Sequence, residues 1–287
     1  MNNVLVTGSK GQLGLELKKY SKNIHDFTFI FKDLPDLDIS DYAAVKLFFI
    51  NNNIDIVINC AAYTDVDDCE LNKEIAFDVN YNAINNIIKV LSINNGKLIH
   101  ISTDYVFDGK KFSAYSEKDK PRPLNIYGTS KLKGEECILK SDLDALIIRT
   151  SWLYSSYGNN FVKKMIRLMK EKDEINVIND QVGSPTYAGD LASSILKMLN
   201  FNSSLSGIYN FSNEGKISWY EFANSIKQIY GLKTRIIGVS SLKFKTIAKR
   251  PKFSLLDKSK IKRTFNLEIP NYKKSLKNCI DIIKNEA

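Results

Sequence analysis

The stretch VLVTGSKGQLG, residues 4–14, decides the fold, because it joins a short apolar strand to a helix through a glycine-rich turn. Glycines at positions 8, 11 and 14 allow the backbone to turn tightly and to approach a ligand without an intervening Cβ. The N-terminus of the following helix presents free N–H groups and a positive dipole, which favour phosphate. The stretch therefore predicts a dinucleotide site, with Gly8, Gly11, Gln12, Leu13 and Gly14 at the pyrophosphate.

Strands and helices alternate through the first half of the chain. Apolar runs predict strands at 4–7, 27–31, 56–60, 97–102 and 146–150, and helical patterns lie near 11–20, 41–52, 73–94 and 127–140. The apolar runs are continuous, which is typical of parallel strands covered on both faces. The pattern predicts an α/β fold, a Rossmann-type doubly wound parallel sheet, over residues 1–150.

The second half is less regular. Helices are predicted near 159–171, 189–199, 218–230 and 273–284, and short strands at 175–178 and 207–211. We expect residues 151–287 to form a smaller α/β substrate-binding domain, interleaved with the first. Elements from 175–212 are expected to complete the sheet of the first domain.

Composition excludes several classes of protein. The 287 residues are 44% hydrophobic and 25% charged, as in an ordinary globular protein, and no apolar run reaches membrane-spanning length. No secretory signal is evident at the start, so we expect a cytoplasmic protein. Four cysteines without a zinc or redox spacing and two histidines predict no metal site.

The net charge of +9 is concentrated near the C-terminus. Residues 243–263 hold nine basic residues and one acid, Asp257, so this segment alone carries +8. Such a cluster favours an anionic ligand, or forms a solvated lysine-rich surface. Both interpretations remain open from the sequence.

A tyrosine and a lysine lie four residues apart at Tyr127 and Lys131. On a helix this spacing puts both side chains on one face. A free tyrosine has a pKa near 10, and a nearby ammonium lowers it towards the range of useful proton exchange. A hydroxyl at the end of the strand 97–102 can bond the reacting oxygen, and both Ser102 and Thr103 are available.

These motifs resemble the extended short-chain dehydrogenase/reductase family, and within it the dTDP-4-dehydrorhamnose reductases. The resemblance runs to about residue 280 and rests on the motifs GQLG at 11–14, STDYVF at 102–107, PLNIYG at 123–128, RTSW at 149–152, GNNF at 158–161, DQVGSPT at 180–186 and RP at 250–251. It implies a catalytic set of Thr103, Tyr127 and Lys131. Tyr127 would act as general acid, tuned by Lys131.

The resemblance also implies a nicotinamide cofactor, NADPH or NADH. Asp33 would contact the adenosine ribose, and the pair Asp38-Ile39 would lie at the adenine. The residues Ala61, Ala62 and Tyr63 would let the dinucleotide pass close to the backbone. Asp33 favours NADH by repelling a 2′-phosphate, whereas Lys32 beside it favours NADPH.

The implied substrate is a nucleotide-sugar, dTDP-4-dehydro-L-rhamnose, whose C4 ketone would be reduced to give dTDP-L-rhamnose. Substrate contacts would come from Thr103, Asp104, Tyr105, Trp152, Asn160 and Arg250, with Arg250 at the diphosphate. The alternatives are another nucleotide-sugar reductase or epimerase of the family and a non-catalytic NADP-binding regulatory subunit. Binding of nucleic acid through the basic segment is a further alternative that we do not expect, and we expect no membrane association.

The resemblance bears on assembly as well. Some family members are dimers joined by Mg²⁺ between glutamates, and Glu16 matches one of these. The second acidic position holds Gly189, and Asp190, one residue on, is rotated by roughly 100° on a helix. We therefore expect a monomer or a metal-independent dimer.

Overall fold

The computed structural model of the protein describes residues 2–201 and 206–285. Its strands are β1 (Asn2–Thr7), β2 (Phe27–Lys32), β3 (Ile54–Asn59), β4 (Lys97–Thr103), β5 (Asp144–Thr150), β6 (Leu153–Tyr154), β7 (Glu174–Ile178), β8 (Val182–Gly183), β9 (Thr186–Tyr187), β10 (Gly207–Phe211), β11 (Ile217–Ser218) and β12 (Arg235–Val239). Its α-helices are α1 (Gln12–Tyr20), α2 (Tyr42–Asn52), α3 (Val66–Leu71), α4 (Lys73–Phe77), α5 (Ala83–Ile93), α6 (Ile126–Leu139), α7 (Phe161–Glu171), α8 (Ala188–Leu199), α9 (Trp219–Tyr230), α10 (Ser259–Phe265) and α11 (Tyr272–Asn285).

A six-stranded parallel sheet organises the fold. Its strand order is β10-β5-β4-β3-β1-β2, and every neighbouring pair is parallel. The chain moves outward from β1 to β2 and then returns to place β3 on the other side of β1. The crevice outside the carboxyl ends of the strands at such a reversal is the usual ligand site of an open α/β sheet.

Helices cover both faces of this sheet, so its strands are apolar on both sides. On one face Val4 and Val6 pack against Leu17 of α1 and Leu191 of α8. The other face packs chiefly against α2 and α5, through residues such as Leu5, Val57, Phe49 and Ile87. The predicted doubly wound parallel sheet is thus confirmed.

A second core lies among helices α7, α9 and α11. Its buried residues include Val162, Ile166, Phe222, Ile226 and Leu276. Strands β7 and β12 form a separate parallel pair beside it, with Glu174 opposite Arg235 and Ile178 opposite Val239. From this group of elements Trp219, the first residue of α9, lines the pocket described below.

The elements from 175–212 divide between the two regions. Strand β10 joins the central sheet beside β5, whereas β7 pairs with β12 outside it. The expectation that 175–178 helps to complete the central sheet is therefore wrong, because β12, which we did not predict, takes β7 as its partner. Residues 202–205 of the predicted range lie outside the described residues.

The predicted helix at 73–94 is observed as three consecutive segments. Helix α4 leads into a π-helical turn, Asp78–Asn82, and then into α5. Helices α3 and α10, of six and seven residues, were not predicted, because they are too short to show a clear period. Among the residues that the structure describes, no helix is both long and apolar enough to cross a membrane.

A buried ion pair fastens α6 to the sheet. Glu135 of α6 accepts from Nε of Arg149 at 2.9 Å and from Nη2 at 2.5 Å, and both side chains are fully buried. Ser102 of β4 donates to the same carboxylate at 2.5 Å. The guanidinium lies 5.1 Å from the ring centroid of Phe107. One carboxylate therefore joins α6 to both β4 and β5.

We predict that Glu135→Gln destabilises the protein by about 3–5 kcal/mol, because it leaves the Arg149 cation buried without its counter-charge. Urea unfolding measures this loss. Glu136→Gln is the matched control, since Glu136 lies on the same helix and pairs with Lys133 at an exposed position, where ion pairs contribute little. Equal unfolding midpoints for the two variants would contradict the anchoring role.

Candidate active site

A concave site opens at the carboxyl ends of the central strands, where the strand order reverses. Its cavity volume is about 410 Å³. Its wall combines the glycine loop, the ends of β4 and β5, helix α6 and the start of α9, through residues that include Gly11, Thr103, Tyr127, Lys131, Trp152 and Trp219. The predicted dinucleotide loop and the predicted chemical residues therefore share one pocket.

The glycine loop has the geometry that a dinucleotide needs. Gly8 has a φ of +63°, and a Cβ there would lie 2.6 Å from the backbone nitrogen of Ala61. Helix α1 starts at Gln12 with Gly11 as its N-cap, and no side chain caps its first turn. The N–H groups of that turn are thus left for an external acceptor, and Gly11, Gln12, Leu13 and Gly14 line the pocket.

Asp33 adjoins the glycine loop directly. Its carboxylate accepts the backbone N–H of Lys10 at 2.8 Å, and the Lys10 ammonium donates to the carbonyl of Leu34 at 2.6 Å. The neighbouring Lys32 ammonium lies 5.7 Å from the ring centroid of Phe48. The acid expected at the adenosine ribose therefore also holds the loop that would receive the pyrophosphate.

The remaining residues expected at the dinucleotide are dispersed. Ala62 lines the pocket, and Ala61 packs behind Gly8. Tyr63 donates its N–H to Asn80 at 2.9 Å and its hydroxyl to Asp68. Asp38 is exposed and accepts from the Ser40 hydroxyl at 2.7 Å, and Ile39 is buried in the core below α2 and α5.

Helix α6 carries the tyrosine and the lysine on one face. Asn125 caps its start by accepting the N–H of Gly128 at 2.8 Å. The Lys131 ammonium is buried, donates to the carbonyl of Ile101 at 2.6 Å and lies 3.4 Å from Nε2 of His100. Burial lowers the pKa of Lys131 to about 8, against the opposing effect of Glu135 and Cys60.

The two hydroxyls at the end of β4 point to different partners. Ser102 donates to Glu135 behind the helix, while Thr103 bonds the phenol of Tyr127. Burial raises the pKa of Tyr127, and the hydrogen bond from Thr103 lowers it in part. The tuning of this phenol by the Lys131 ammonium stays a prediction.

The two tryptophans of the chain stack on one another in the pocket wall. Their ring centroids are 3.6 Å apart and their planes differ by 11°. Trp152 has a φ of +48°. Its indole ring lies against Gly183, and a Cβ added to Gly183 would lie 3.0 Å from that ring. Trp219 was not predicted as a site residue. Its position as the first residue of a helix gives no local sign that it meets Trp152.

Asn160 and Arg250 lie outside the pocket wall. The Asn160 amide caps α7 and donates to the side chain of Gln12 at 2.9 Å. Arg250 forms a two-pronged ion pair with Asp67, with nitrogen–oxygen distances of 3.2 and 2.8 Å, and also bonds Tyr105. Each residue therefore contacts a neighbour that lines the pocket, Gln12 or Tyr105.

The basic segment is partly neutralised within the fold. Glu214 pairs with Lys258 at 3.2 Å and with Lys262 at 3.0 Å, and Lys260 donates to the carbonyl of Ile208 at 2.6 Å.

Within residues 2–201 and 206–285 no group of three or more His, Cys, Asp or Glu side chains could hold a metal ion. The site thus offers a phenol, a hydroxyl and a buried amine beside a phosphate cradle, which is chemistry suited to carbonyl reduction.

Comparison with known proteins gives a consistent family. The family model described as the RmlD substrate binding domain matches residues 1–285. A dTDP-4-dehydrorhamnose reductase of Aggregatibacter actinomycetemcomitans is 36% identical over 288 residues, covering 97% of this chain and 98% of the relative. A spore coat polysaccharide biosynthesis protein of Bacillus subtilis is 42% identical over 257 residues, covering 89% of each.

A solved structure resembles the whole fold. The dTDP-4-dehydrorhamnose reductase of Bacillus anthracis, solved in complex with NADP, has a TM-score of 0.94 and 38% identity. The match covers 98% of this chain and 100% of that one. The likeness therefore includes both the central sheet and the elements around the second core.

Proposed function

The chain belongs to the RmlD substrate binding domain family, and from this premise we propose that it reduces the C4 ketone of dTDP-4-dehydro-β-L-rhamnose to give dTDP-L-rhamnose, with NADPH or NADH. One observation carries the proposal: the Tyr127 phenol and the Thr103 hydroxyl meet in a pocket that the glycine loop also lines. Relatives named as this reductase match the chain over nearly its whole length.

The residues of the pocket have distinct tasks. The nicotinamide, when bound, supplies the hydride for C4. Tyr127 donates its proton to the C4 oxygen, and its raised pKa keeps the phenol protonated and ready as a general acid. Thr103 donates a hydrogen bond to the same oxygen and stabilises the negative charge that develops there. Lys131, held by the carbonyl of Ile101, is positioned to bind the nicotinamide ribose.

The side chains that would bind the sugar lie in the wall of the same pocket. Asp104, Tyr105 and Trp152 line the pocket and supply a carboxyl group and aromatic surface for a pyranose ring. Trp219 backs Trp152 and extends that surface. Asn160 would act through Gln12. Arg250 would reach a diphosphate from the pocket edge, where it bonds Tyr105.

We predict that Tyr127→Phe lowers turnover of dTDP-4-dehydro-β-L-rhamnose by at least ~100-fold, because positioned acid–base groups contribute about 10² to 10⁴. NADPH binding should remain nearly unchanged, since the ring is kept. Tyr42→Phe removes a hydroxyl from an exposed position on α2 and is the matched control. Near-normal turnover of Tyr127→Phe would contradict the assigned acid.

The wild-type protein separates the alternatives in the same assay. NADPH binding without turnover would indicate a non-catalytic regulatory subunit. Turnover of a different nucleotide-sugar ketone alone would indicate another reductase or epimerase of the family.

The cofactor preference rests on two adjacent residues. The charge of Asp33 opposes a 2′-phosphate, although its carboxylate also accepts the Lys10 N–H, and the positive charge of the adjacent Lys32 favours a phosphate. These effects act in opposite directions, so neither cofactor should be excluded.

We therefore predict a preference between NADH and NADPH of less than ~100-fold in kcat/KM, which corresponds to under ~2.7 kcal/mol. Steady-state rates with each cofactor measure it. Lys32→Ala should move the preference towards NADH, whereas Lys22→Ala, in a turn away from the glycine loop, should not. A preference far above this limit would show that one of the two residues dominates.

Location and partners complete the proposal. The four cysteines are free thiols, which suits a reducing compartment, so we propose the cytoplasm. Ion pairs with Glu214 and Asp67 neutralise part of the positive charge of the basic segment. This favours a nucleotide-sugar rather than a nucleic acid as its anionic partner.

Three contacts favour a monomer or a metal-independent dimer. Glu16 is fully buried and accepts from the Ser155 hydroxyl at 2.7 Å, and burial raises the pKa of its carboxyl. A Cβ at position 189 would lie 2.5 Å from the Tyr187 ring, so an acidic side chain has no room there. Asp190 instead accepts from Asn213 at 2.6 Å and from Ser275 at 2.5 Å.

We predict that the mass in solution does not change when EDTA or Mg²⁺ is added, because the acidic groups are buried or already bonded. Light scattering coupled to gel filtration measures this mass at several protein concentrations. A dimer that dissociates on chelation and re-forms with Mg²⁺ would contradict the prediction.

A further inference from the structure

Asp104 lines the pocket and has one carboxyl oxygen without a partner. It follows β4 as the first residue of a 3-10 turn, and the residue is 2% exposed. Its Oδ2 is buried and has no hydrogen-bond partner among the described residues. Most buried polar atoms in proteins are bonded, so this oxygen calls for a functional explanation.

Its surroundings favour the protonated form. Burial raises the pKa of Asp104 to about 7, and the nearby hydroxyls of Ser254 and Thr103 offset the effect in part. The nearby cation, Arg250, is committed to Asp67 and Tyr105. The other ionisable groups near it are the phenols of Tyr105 and Tyr127, and the charge of an ionised Asp104 raises the pKa of both.

The Thr103 hydroxyl connects this carboxyl to the phenol. It accepts the N–H of Tyr105 at 3.2 Å and donates to Oδ1 of Asp104 at 3.2 Å. It also bonds Tyr127, whose charged form it stabilises. A hydroxyl has one proton to give, so Thr103 can donate either to Asp104 or to Tyr127, but not to both at once.

Each turnover leaves the phenol without its proton. Under the proposed function, on which this inference rests, Tyr127 gives that proton to the C4 oxygen. The resulting phenolate is disfavoured by burial, and it must be protonated before the next substrate is reduced.

We propose that Asp104 is the proton reservoir that restores Tyr127 between turnovers, through the hydroxyl of Thr103. The O–H bond of the Asp104 carboxyl breaks as its proton passes to Oγ1 of Thr103. At the same time the O–H bond of Thr103 breaks and its proton passes to the phenolate oxygen of Tyr127. Asp104 is left as a carboxylate, Thr103 is unchanged, and no oxidant or reductant is consumed.

The reservoir refills from solvent. Asp104 is one of the residues that line the pocket, so water that enters after product leaves is the proton source for its carboxyl group. Asp104 then regains its proton below a pH of about 7 and loses it above. Steady-state turnover should consequently decline as pH rises through this value, whereas the first turnover, which uses the proton already on Tyr127, should not.

The test uses Asp104→Asn, which keeps the side-chain shape but carries no acid. Rapid mixing of enzyme and NADPH with dTDP-4-dehydro-β-L-rhamnose separates the first turnover from later ones. We expect the steady-state rate of this variant to fall at least ~10-fold more than the rate of its first turnover, towards the low end of general-acid effects. Imidazole buffer should restore the later turnovers, and the decline near pH 7 should be absent.

Asp281→Asn, at an exposed position on α11, is the control and should match wild type in both phases. Equal slowing of the first and later turnovers of Asp104→Asn, or no slowing of either, would overturn the reservoir while leaving the reductase activity in place. Absence of NADPH oxidation in the first turnover of the wild-type enzyme would instead refute the proposed function, and the reservoir with it.

Discussion

One face of helix α6 is the constraint on which the site depends. Tyr127, Lys131 and Glu135 follow at intervals of four residues, so they share that face. Glu135 is bound by Arg149 and Ser102, and the helix therefore has a fixed position against β4 and β5. Because the same strand β4 ends in Thr103, fixing the helix also fixes the distance between phenol and hydroxyl.

Burial then gives the pocket its chemistry. It disfavours whichever form is charged, so it raises the pKa of Tyr127 and Asp104 and lowers that of Lys131. The phenol holds its proton at neutral pH, the carboxyl gains and loses its proton near pH 7, and the hydroxyl of Thr103 contacts both. A site that reduces a ketone needs a proton as well as a hydride, and this arrangement supplies the proton from the chain itself.

The parts of the site that depend on local sequence could be predicted. The glycine loop and the spacing of Tyr127 and Lys131 are set by neighbouring residues, and the parallel sheet follows from continuous apolar runs. Trp152 stacks on Trp219, which is 67 positions further along the chain. Arg250 pairs with Asp67, from which it is separated by 183 positions. No periodicity reports such contacts, so neither Trp219 as a site residue nor the pairing of Arg250 with Asp67 was predicted.

The central claim is that this pocket delivers a hydride to C4 of the sugar and a proton to its oxygen. Product analysis by NMR after reaction of dTDP-4-dehydro-β-L-rhamnose with NADPH deuterated at the transferred position tests it most directly. The account predicts dTDP-L-rhamnose with one deuterium at C4. Product without deuterium at C4, the C4 epimer as the main product, or unreacted substrate would contradict it.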